Sequence, residues 1–295
     1  MTQTKKIVVG MGELLFDVFP TGKKIGGAPV NFAYHVGQLG IESLAISAVG
    51  NDELGREIIN ILREKRINNI VPIVAEPTGT VQVTLDDKGV PSYEICEGVA
   101  WDNIPCNKEL VEVAKNCCAF CFGSLAQRSE QSRNAINLFL DSMESGDKTL
   151  RIFDINLRQA FYSREIIEES LAKSNVLKIN DEEFCIVGKM LGYDVEDFER
   201  GSRYMMERYG LRMVILTCGE KGSHIFHKDG SSFLPTPKVK IADTVGAGDS
   251  FTAAFVASLL GGKTIEEAHR KAVEVAAYVC TQSGAMPIIP EELKA

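Results

Sequence analysis

The sequence predicts an α/β fold organised around a mostly parallel sheet, with one antiparallel hairpin that projects from the main body. Short apolar runs typical of buried strands alternate with segments of helical periodicity along most of the chain. Polar and reactive residues recur just after the strand ends, where doubly wound sheets bind their ligands. A chain of 295 residues suits a single domain of this class, so we expect one domain over 1–295.

The first third of the chain contains strands, turns and two helices. Its predicted segments, in order, are a strand Ile7 to Met11, a strand Glu13 to Phe19 ending in the turn Pro20-Thr21-Gly22, a helix Phe32 to Leu39 stopped by Gly40, a strand Leu44 to Val49 and a helix Glu53 to Lys65 capped by Asp52. Two further strands, Thr80 to Leu85 and Val90 to Cys96, flank the turn Asp86-Asp87-Lys88-Gly89. Because such a hairpin is exceptional within βα alternation, we expect it to form a small sheet with the early strands and to act as a lid.

Beyond the hairpin the βα alternation resumes. The predicted segments are a helix Lys108 to Lys115, a strand Cys117 to Phe122, a helix Ser129 to Ser145, a strand Leu150 to Ile155, a helix Arg164 to Lys173, a strand Val176 to Ile179, a helix Val195 to Tyr209, a strand Met213 to Thr217 and a helix-forming run Phe251 to Leu260.

Composition and charge limit the classes of function. The net charge of −8 and the lack of a Lys/Arg block in the sequence argue against a general nucleic-acid binder. Every apolar run is shorter than a membrane span, and the first one is also too short for a signal peptide. We therefore expect a cytoplasmic protein without nucleic-acid or membrane partners.

Eight cysteines raise the alternative of a metal site or of disulfides. Cys118 and Cys121 form one CxxC pair, but no second pair or nearby histidine completes a zinc set. The surrounding run Cys117 to Phe122 is predicted to be a buried strand, in which free cysteine packs as a small hydrophobe. We expect these thiols to be reduced core residues.

The stretch Asp243 to Thr252 reads Asp-Thr-Val-Gly-Ala-Gly-Asp-Ser-Phe-Thr and carries the main functional signal. A glycine-rich turn that opens onto a helix presents free backbone N–H groups and the positive end of the helix dipole, which favours an anion such as a phosphate. Asp249 adds a carboxylate, which indicates a base beside a phosphoryl group that is being transferred. The alternative is that Asp249 only caps the helix, and the residues leave both interpretations open.

A second glycine-containing turn, Gly26-Gly27-Ala28-Pro29, precedes the first helix. Paired glycines let another molecule approach the backbone, and Asn31 on the first helical turn can reach into the same space. A tight turn without a ligand is the alternative. Asp17 lies among apolar neighbours, where a carboxylate either faces solvent or binds a hydroxyl-bearing ligand; taken alone, the solvent interpretation is favoured.

Together these segments resemble the ribokinase (PfkB) family of sugar kinases over nearly the whole chain. The motifs that carry the resemblance are Gly26 to Asn31, Asn180-x-x-Glu183, Thr217-x-Gly219-x-x-Gly222 and Asp243 to Asp249, in the family's order. The segments Gly12 to Asp17 and Asp154 to Arg158 are similar to those of the fructokinase branch, which usually has Pro where Ile155 stands. The resemblance implies a three-layer αβα ribokinase-like parallel sheet with a small β-sheet lid built from residues 12–25 and 75–100, approximately.

The resemblance also implies ATP-dependent phosphorylation of a sugar's primary hydroxyl, with a ketohexose such as fructose as the substrate. Asp249 would then be the base, and the backbone of Gly246, Ala247 and Gly248 would be the anion hole for charge on the γ-phosphoryl group. By match to the family motifs, the residues that would hold the sugar are Asp17, Gly26, Gly27, Asn31 and Arg158. A surface arginine at a strand end is the alternative interpretation of Arg158.

The remaining motif residues would serve ATP and metal ions. By the same resemblance, the nucleotide side comprises Asn180, Glu183, Thr217, Gly219 and Gly222, with adenine against the last helix near Val273 and Ala276. Glu183 would hold Mg²⁺ through water, because Mg²⁺ retains part of its hydration shell. Asp243 and the carbonyl of Val245, with the loop Ser283-Gly284-Ala285, resemble the K⁺ site of some relatives.

Two other functions remain as alternatives. Within the family, the substrate could be ribose, a keto-deoxy sugar acid or a nucleoside. A regulator that binds sugar or nucleotide without catalysis is the second alternative, although the intact Gly-Ala-Gly-Asp run counts against it. The exposed sheet of a lid needs cover, which predicts a homodimer formed through the lid.

Overall fold

A computed structural model describes residues 7–85, 91–144, 146 and 149–294. Within these residues, a nine-stranded sheet lies between two layers of helices, and four further strands form a smaller sheet. The predicted three-layer α/β fold is confirmed. None of the helices in the described ranges is long and apolar enough to cross a membrane.

The described residues form the following elements. The strands are β1 Ile7–Met11, β2 Leu15–Phe19, β3 Gly22–Gly26, β4 Ser43–Ile46, β5 Val49–Gly50, β6 Asn69–Ile70, β7 Ile73–Val74, β8 Gly79–Leu85, β9 Pro91–Ile95, β10 Cys117–Phe122, β11 Leu150–Asp154, β12 Val176–Asn180, β13 Met213–Thr217, β14 Ser223–His227 and β15 Gly230–Leu234. The helices are α1 Ala28–Gln38, α2 Glu53–Glu64, α3 Lys108–Lys115, α4 Glu130–Ser142, α5 Arg164–Lys173, α6 Asp181–Leu191, α7 Phe198–Tyr209, α8 Ala247–Leu260 and α9 Ile265–Cys280. Short 3-10 turns cover Ala100–Asn103, Leu125–Arg128, Gly219–Lys221 and Glu291–Leu293.

The large sheet has the strand order β15-β14-β13-β12-β11-β10-β1-β4-β6. The pairings from β13 to β6 are parallel, whereas β13, β14 and β15 pair antiparallel at one edge. The hairpin of β14 and β15 was not predicted. The sequence of Gly230–Leu234 has only a weak strand pattern, and the preceding residues Gly219 to Gly222 were interpreted as a ligand-binding loop. Since parallel strands point the same way, β10 to β13 all end at one edge of the sheet, where side chains from distant segments meet.

The two faces of the sheet bury different sets of side chains. Val9 and Phe120 pack with helices α3 to α7 on one face, whereas the adjacent Val8 and Cys121 pack with α1, α8 and α9 on the other. This alternation follows from the two-residue period of a strand. Cysteines 117, 118 and 121 are buried thiols that form no disulfide, as expected for small core residues.

The smaller sheet consists of β3, β2, β8 and β9, in that order. β2 pairs antiparallel with β3 after the predicted turn Pro20-Thr21-Gly22 and in parallel with β8. β8 and β9 pair antiparallel, as predicted for the projecting hairpin. The predicted turn at residues 86–89 lies outside the described residues. Val81, Val83 and Ile95 are buried, so this sheet packs its apolar side against the core.

Three predicted helices differ from the sequence predictions at their N-terminal ends, and one helix was not predicted. α7 begins at Phe198, three residues after the predicted start at Val195. α1 begins at Ala28 and α8 at Ala247, each four residues before the apolar run that predicted it. α6, Asp181–Leu191, was not predicted at all, because its first residues were assigned to a ligand-binding motif. At α1, α6 and α8 the ligand motif includes the first turn of the helix.

Candidate active site

The first turn of α8 forms an open set of backbone amides. Gly246 precedes the helix with φ of 79°, a left-handed conformation that favours glycine. Among the described residues, the amides of Gly246 and Gly248 have no hydrogen-bond partner, and that of Ala247 donates only a long bond of 3.3 Å to the Thr244 carbonyl. Three neighbouring donors at a helix N-terminus can bind an anion.

Two other segments hold the loop before α8 in place. A Cβ atom at Gly246 would lie 2.7 Å from the carbonyl oxygen of Ala285, so the two backbones touch here. The His35 ring on α1 donates through Nε2 to the same carbonyl at 2.8 Å. Burial lowers the pKa of His35 to about 4, so this imidazole is neutral at pH 7. One peptide group therefore contacts both α1 and the start of α8.

Asp249 lies within the first turn of α8 and does not cap it. The N-cap residue is Gly246, and no side chain caps this end of the helix. Instead, Oδ2 of Asp249 accepts a hydrogen bond of 2.8 Å from Nδ2 of Asn31 on the first turn of α1. The capping interpretation of Asp249 therefore does not describe the structure, and the carboxylate is available for chemistry.

The surroundings of Asp249 make it a weaker acid. Burial and the neighbouring Asp154 carboxylate raise its pKa from 3.8 to about 6, although the Asn31 amide, Lys178 and Arg158 act in the opposite direction. A carboxylate with a pKa near the working pH is better suited to accept a proton than an ordinary aspartate.

Of the residues predicted to hold a sugar, Asp17 and Gly26 lie on the paired strands β2 and β3, and Gly27 precedes α1. A Cβ at Gly26 would lie 2.9 Å from Oδ2 of Asp17, so this glycine leaves room beside the carboxylate. A Cβ at Gly27, which has φ of 127°, would overlap the carbonyl of Glu13. Arg158 is exposed, and its charge lowers the pKa of Asp17 and Asp249. Burial outweighs this effect at Asp17, whose pKa is raised.

A buried ion pair lies behind the amides of α8. Lys178 Nζ on β12 is 3.0 Å from Oδ1 of Asp154 on β11, and both residues are buried. Thr252 donates to the other Asp154 oxygen at 3.4 Å. A Cβ at Gly248 would lie 2.9 Å from Lys178 Nζ, so the ammonium group abuts the amide-rich turn. Burial lowers the pKa of Lys178, but the carboxylates of Asp154, Glu183 and Asp249 outweigh it and raise the pKa overall.

Asn180 and Glu183 form the N-terminal capping box of α6. The Asn180 side chain accepts from the Glu183 amide at 2.8 Å, and Oε2 of Glu183 accepts from the Asn180 amide at 3.0 Å. Oε1 of Glu183 accepts from the Leu157 amide at 2.8 Å. Burial raises the pKa of Glu183, against the effects of Lys178 and of these amides. Each oxygen has one lone pair left, which can accept a hydrogen bond from a water of a hydrated ion.

The nucleotide-loop motif follows β13 at the same edge. Thr217 is the last residue of β13, and Gly219 and Gly222 adopt φ values of 53° and 132°. A Cβ at Gly222 would run into the Leu234 carbonyl on β15, so the close packing of this loop against the hairpin requires glycine. Lys221 lies 3.8 Å from Asp181, which brings the loop close to the start of α6.

Asp243 anchors the loop before α8. Oδ1 accepts from the Val245 amide, and Oδ2 accepts from the Gly284 amide, both at 3.1 Å. Lys24 on β3 lies 3.2 Å from Oδ2. Burial alone would raise the pKa of Asp243, but these donors outweigh it and the pKa is lowered. The described residues contain no cluster of three or more His, Cys, Asp or Glu that could hold a metal ion.

The structure thus brings most of the predicted residues to one edge of the sheet. Val273 and Ala276 lie on α9, half-buried against the core that α8 and α9 share. Sequence reasoning missed Lys178 and Glu13 as site residues. A lysine inside the apolar strand Val176–Asn180 was a usable signal, since lysine is buried only when it is paired. Glu13 gave no such signal, because nothing local distinguishes it from a solvent-facing residue.

Comparison with known proteins places the chain in a family. The sequence profile of the pfkB family carbohydrate kinases matches residues 4–292. Fructokinase-1 of Oryza sativa subsp. japonica is 28% identical over 100% of this chain and 98% of its own length. The protein named probable fructokinase-5 of Arabidopsis thaliana is 30% identical over 96% of this chain and 94% of its own length.

Solved structures agree with this assignment. An uncharacterized sugar kinase from Pyrococcus horikoshii, 26% identical, superimposes with a TM-score of 0.81 over 95% of this chain and 93% of its own. A second crystal structure of that kinase, in complex with ATP, gives a TM-score of 0.76 over 95% of this chain and 94% of its own. From the match over almost the whole length, the chain belongs to the pfkB family of carbohydrate kinases.

Proposed function

We propose that this carbohydrate kinase transfers the γ-phosphoryl group of ATP to the primary hydroxyl of a ketohexose, with fructose as the main substrate. One observation carries the proposal. The Asp249 carboxylate, which does not cap its helix, lies in the same helical turn as the amides of Gly246 and Gly248, which have no hydrogen-bond partner among the described residues. A phosphoryl transfer needs a base for the attacking hydroxyl and donors for the charge on the phosphoryl oxygens. This turn supplies both.

Asp249 acts as the base in the proposed reaction. One carboxylate oxygen accepts the proton of the sugar hydroxyl as that oxygen attacks the γ-phosphorus, and the bond from phosphorus to the β,γ-bridging oxygen of ATP breaks. Asn31 holds the other carboxylate oxygen at 2.8 Å and so fixes the direction of the base. The amides of Gly246, Ala247 and Gly248 bind the equatorial phosphoryl oxygens, with the Lys178 ammonium group behind them.

The sugar binds between α1 and the smaller sheet. Asp17 and Asn31 accept and donate hydrogen bonds to its hydroxyls, while Gly26 and Gly27 let it approach the backbone. Arg158 neutralises part of the negative charge of Asp17 and Asp249 and steadies the phosphoryl group. Polar groups built for hydroxyls discriminate against analogues that lack them.

ATP binds along the edge formed by β12, β13 and α9. Thr217, Gly219 and Gly222 surround its phosphates, and Val273 and Ala276 pack against the adenine. Asn180 and Glu183 would hold Mg²⁺ through water, which fits a carboxylate that keeps only one free lone pair on each oxygen. When bound, Mg²⁺ neutralises charge on the phosphates. K⁺ at Asp243 and the Val245 carbonyl is a weaker fit, because Lys24 already lies on the Asp243 carboxylate.

Relatives of this chain support ATP and fructose as its substrates. Two plant relatives are named fructokinases, and a crystal structure of the archaeal sugar kinase contains ATP. We also propose that residues 12–25 and 75–100 close over the sugar as a lid on the single domain, and that the lids of two chains pair in a homodimer.

An assay that couples ADP formation to NADH oxidation, run over a panel of sugars, tests this function. We expect turnover with fructose to exceed that with ribose, glucose and 2-keto-3-deoxygluconate, and phosphorus NMR to show a phosphomonoester on the primary carbon. A higher kcat/KM for another sugar would contradict the fructose assignment. ATP binding without turnover on any sugar would favour a non-catalytic regulator. Light scattering with and without fructose tests the dimer, and a monomer in both conditions would contradict it.

A further inference from the structure

Glu13 is a buried carboxyl group that the proposed reaction does not use. It lies between β1 and β2 and is only 4% exposed. Its Oε1 accepts a hydrogen bond of 3.2 Å from the amide of Ala28, the first residue of α1. Its Oε2 is buried and has no partner among the residues that the structure describes. An ionised oxygen left without a donor is costly in such a place, whereas a protonated one can itself donate.

A second buried acceptor without a donor lies on the same turn of α1. Asn31 follows Ala28 by three residues, and positions three apart share one face of a helix. The Asn31 amide donates to Asp249, but its Oδ1 is buried and unpartnered in the described part of the chain. One turn of α1 therefore connects Glu13 to Asp249, through the backbone of Ala28 and the side chain of Asn31. Two buried acceptors, Glu13 Oε2 and Asn31 Oδ1, thus lack a donor among the described residues, which favours a proton on Glu13.

The charged groups that face Glu13 come from three other elements. Burial and, to a smaller extent, Asp249 on α8 disfavour its ionisation, while the backbone amide of Glu13 itself, Arg158 from the loop after β11 and the α1 amide favour it. The Cys121 thiol on β10 lies in the same field and stays protonated, because burial holds its pKa far above the usual range. Burial raises the pKa of Glu13 from 4.5 to about 7. Asp249 accepts a hydrogen bond from Asn31, whereas Oε2 of Glu13 has no donor among the described residues, so Asp249 is the more easily ionised of the two.

We propose that Glu13 and Asp249 form a coupled carboxyl pair in which Glu13 keeps the last proton, so that Asp249 is the ionised member that faces the sugar hydroxyl. The inference rests on the proposed role of Asp249 as the base. Glu13 is a positioning residue in this pair: it holds the first turn of α1 and touches no reacting atom. When two neighbouring acids have different pKa values, one can stay protonated while the other acts as a base. Because the two groups interact, each apparent pKa describes the pair and not a single residue.

The first test measures stability against pH and does not depend on activity. Glu13→Gln keeps the acceptor for Ala28 and provides a permanent donor in place of the acid proton. Because the fold disfavours ionised Glu13, the wild type should lose stability relative to this variant as the pH rises from about 4.5 to about 7. The difference in Tm should widen over this range in favour of Glu13→Gln. The exposed control Glu64→Gln should show a constant difference, and a constant difference for Glu13→Gln would overturn the proposal.

The second test measures kcat/KM against pH with fructose. The wild type should show a rise near pH 6 as Asp249 ionises, and a several-fold decline above pH 7 as Glu13 adds a second negative charge that interacts with Asp249. Glu13→Gln should keep the rise and lose the decline.

Glu13→Asp keeps the charge but is too short to hold Ala28, so it should raise the KM for fructose. Superimposable profiles for wild type and Glu13→Gln would overturn the pair. If even the wild type phosphorylates no sugar, the proposed function fails, while the unfolding measurement still decides the inference.

Discussion

Asp243 and Asp249 lie six residues apart in the sequence and differ in almost every physical respect. Asp243 accepts two backbone amides and pairs with Lys24, and its pKa is lowered. Asp249 accepts one side-chain amide beside another carboxylate, and its pKa is raised to about 6. The first aspartate is a satisfied anchor that stabilises a loop. The second is an under-satisfied group that the fold tolerates, which is the pattern of a functional acid or base.

The largest expected difference between the two aspartates is in turnover. Asp249→Asn should lower kcat by about 10²- to 10⁴-fold, the usual effect of removing a positioned base. Asp243→Asn keeps an acceptor for the Val245 amide and should lose much less. Steady-state assays at saturating ATP and fructose measure both values. The comparison breaks down if Asp249→Asn keeps more than a tenth of wild-type turnover, or if the two variants lose equal amounts.

The second largest effect is expected on the free energy of unfolding, from removal of the Lys178 ammonium group near Asp249. Lys178→Met leaves Asp154 buried without its partner, which should destabilise the fold by about 3–5 kcal/mol in urea unfolding. It should also raise the pKa of Asp249 further, because Lys178 lowers it now. Lys173→Met is the matched control, since Lys173 pairs with Asp141 at the surface. Adding Asp154→Asn should recover part of the loss, and a full loss in the double variant would argue against the ion pair.

The pH dependence of stability should have opposite signs for the two aspartates. The raised pKa of Asp249 means that its ionisation destabilises the fold as the pH rises from 3.8 through about 6, so Asp249→Asn should gain up to about 3 kcal/mol above that range. Asp243, with a lowered pKa, stabilises the fold above pH 3.8 and loses this effect as the pH falls. Asp243→Asn should therefore lose about 1–2 kcal/mol at pH 7 and little at low pH. Denaturant unfolding at several pH values measures both slopes, and slopes of equal sign would contradict this account.

The smallest effect is expected from the cation beside Asp243. Lys24 is half exposed, so Lys24→Met should cost less than about 1 kcal/mol and less still at high salt. Calorimetric scans in low and high salt measure this difference. The neighbouring pair of Lys23 and Glu57 offers a control. Lys23→Met should leave the contribution of Asp243 to the pH dependence of stability unchanged. A loss that does not depend on salt would mean that Lys24 acts by packing and not by charge.

Local patterns in the sequence predicted much of the fold and located the edge at which the site lies. Lys108–Lys115, Cys117–Phe122 and Met213–Thr217 have the predicted bounds, because periodicity and caps within each segment determine them. α6 was missed although its signals were present: Asn180-x-x-Glu183 is a capping-box sequence, and Phe184, Val187 and Leu191 have helical spacing. The residues from Asn180 to Glu183 fit both a ligand-binding motif and a helix N-terminus, and the structure shows that they begin a helix.

Contacts between distant segments were beyond prediction from this sequence. The Asn31 amide meets Asp249 across 218 positions, and the Lys178 ammonium meets Asp154 only because their strands are neighbours in the sheet. The pKa of a carboxyl group depends on such neighbours and on burial, so the residues alone could not show that the pKa values of Asp249 and Asp243 shift in opposite directions. Glu13 is the clearest case. Its raised pKa follows from its burial, with an Oε2 that has no hydrogen-bond donor among the described residues, and the sequence shows neither property.

The Ala285 carbonyl, which accepts from His35 and touches Gly246, has a consequence for protein engineering. Asn31 and Asp249 come from opposite ends of the chain, and this one peptide group contacts the helix of the first and the loop before the second. Two fragments cut between them would each be inert, and sugar phosphorylation would return only when they reassociate. The chain thus offers the design of a split reporter whose signal is sugar phosphate.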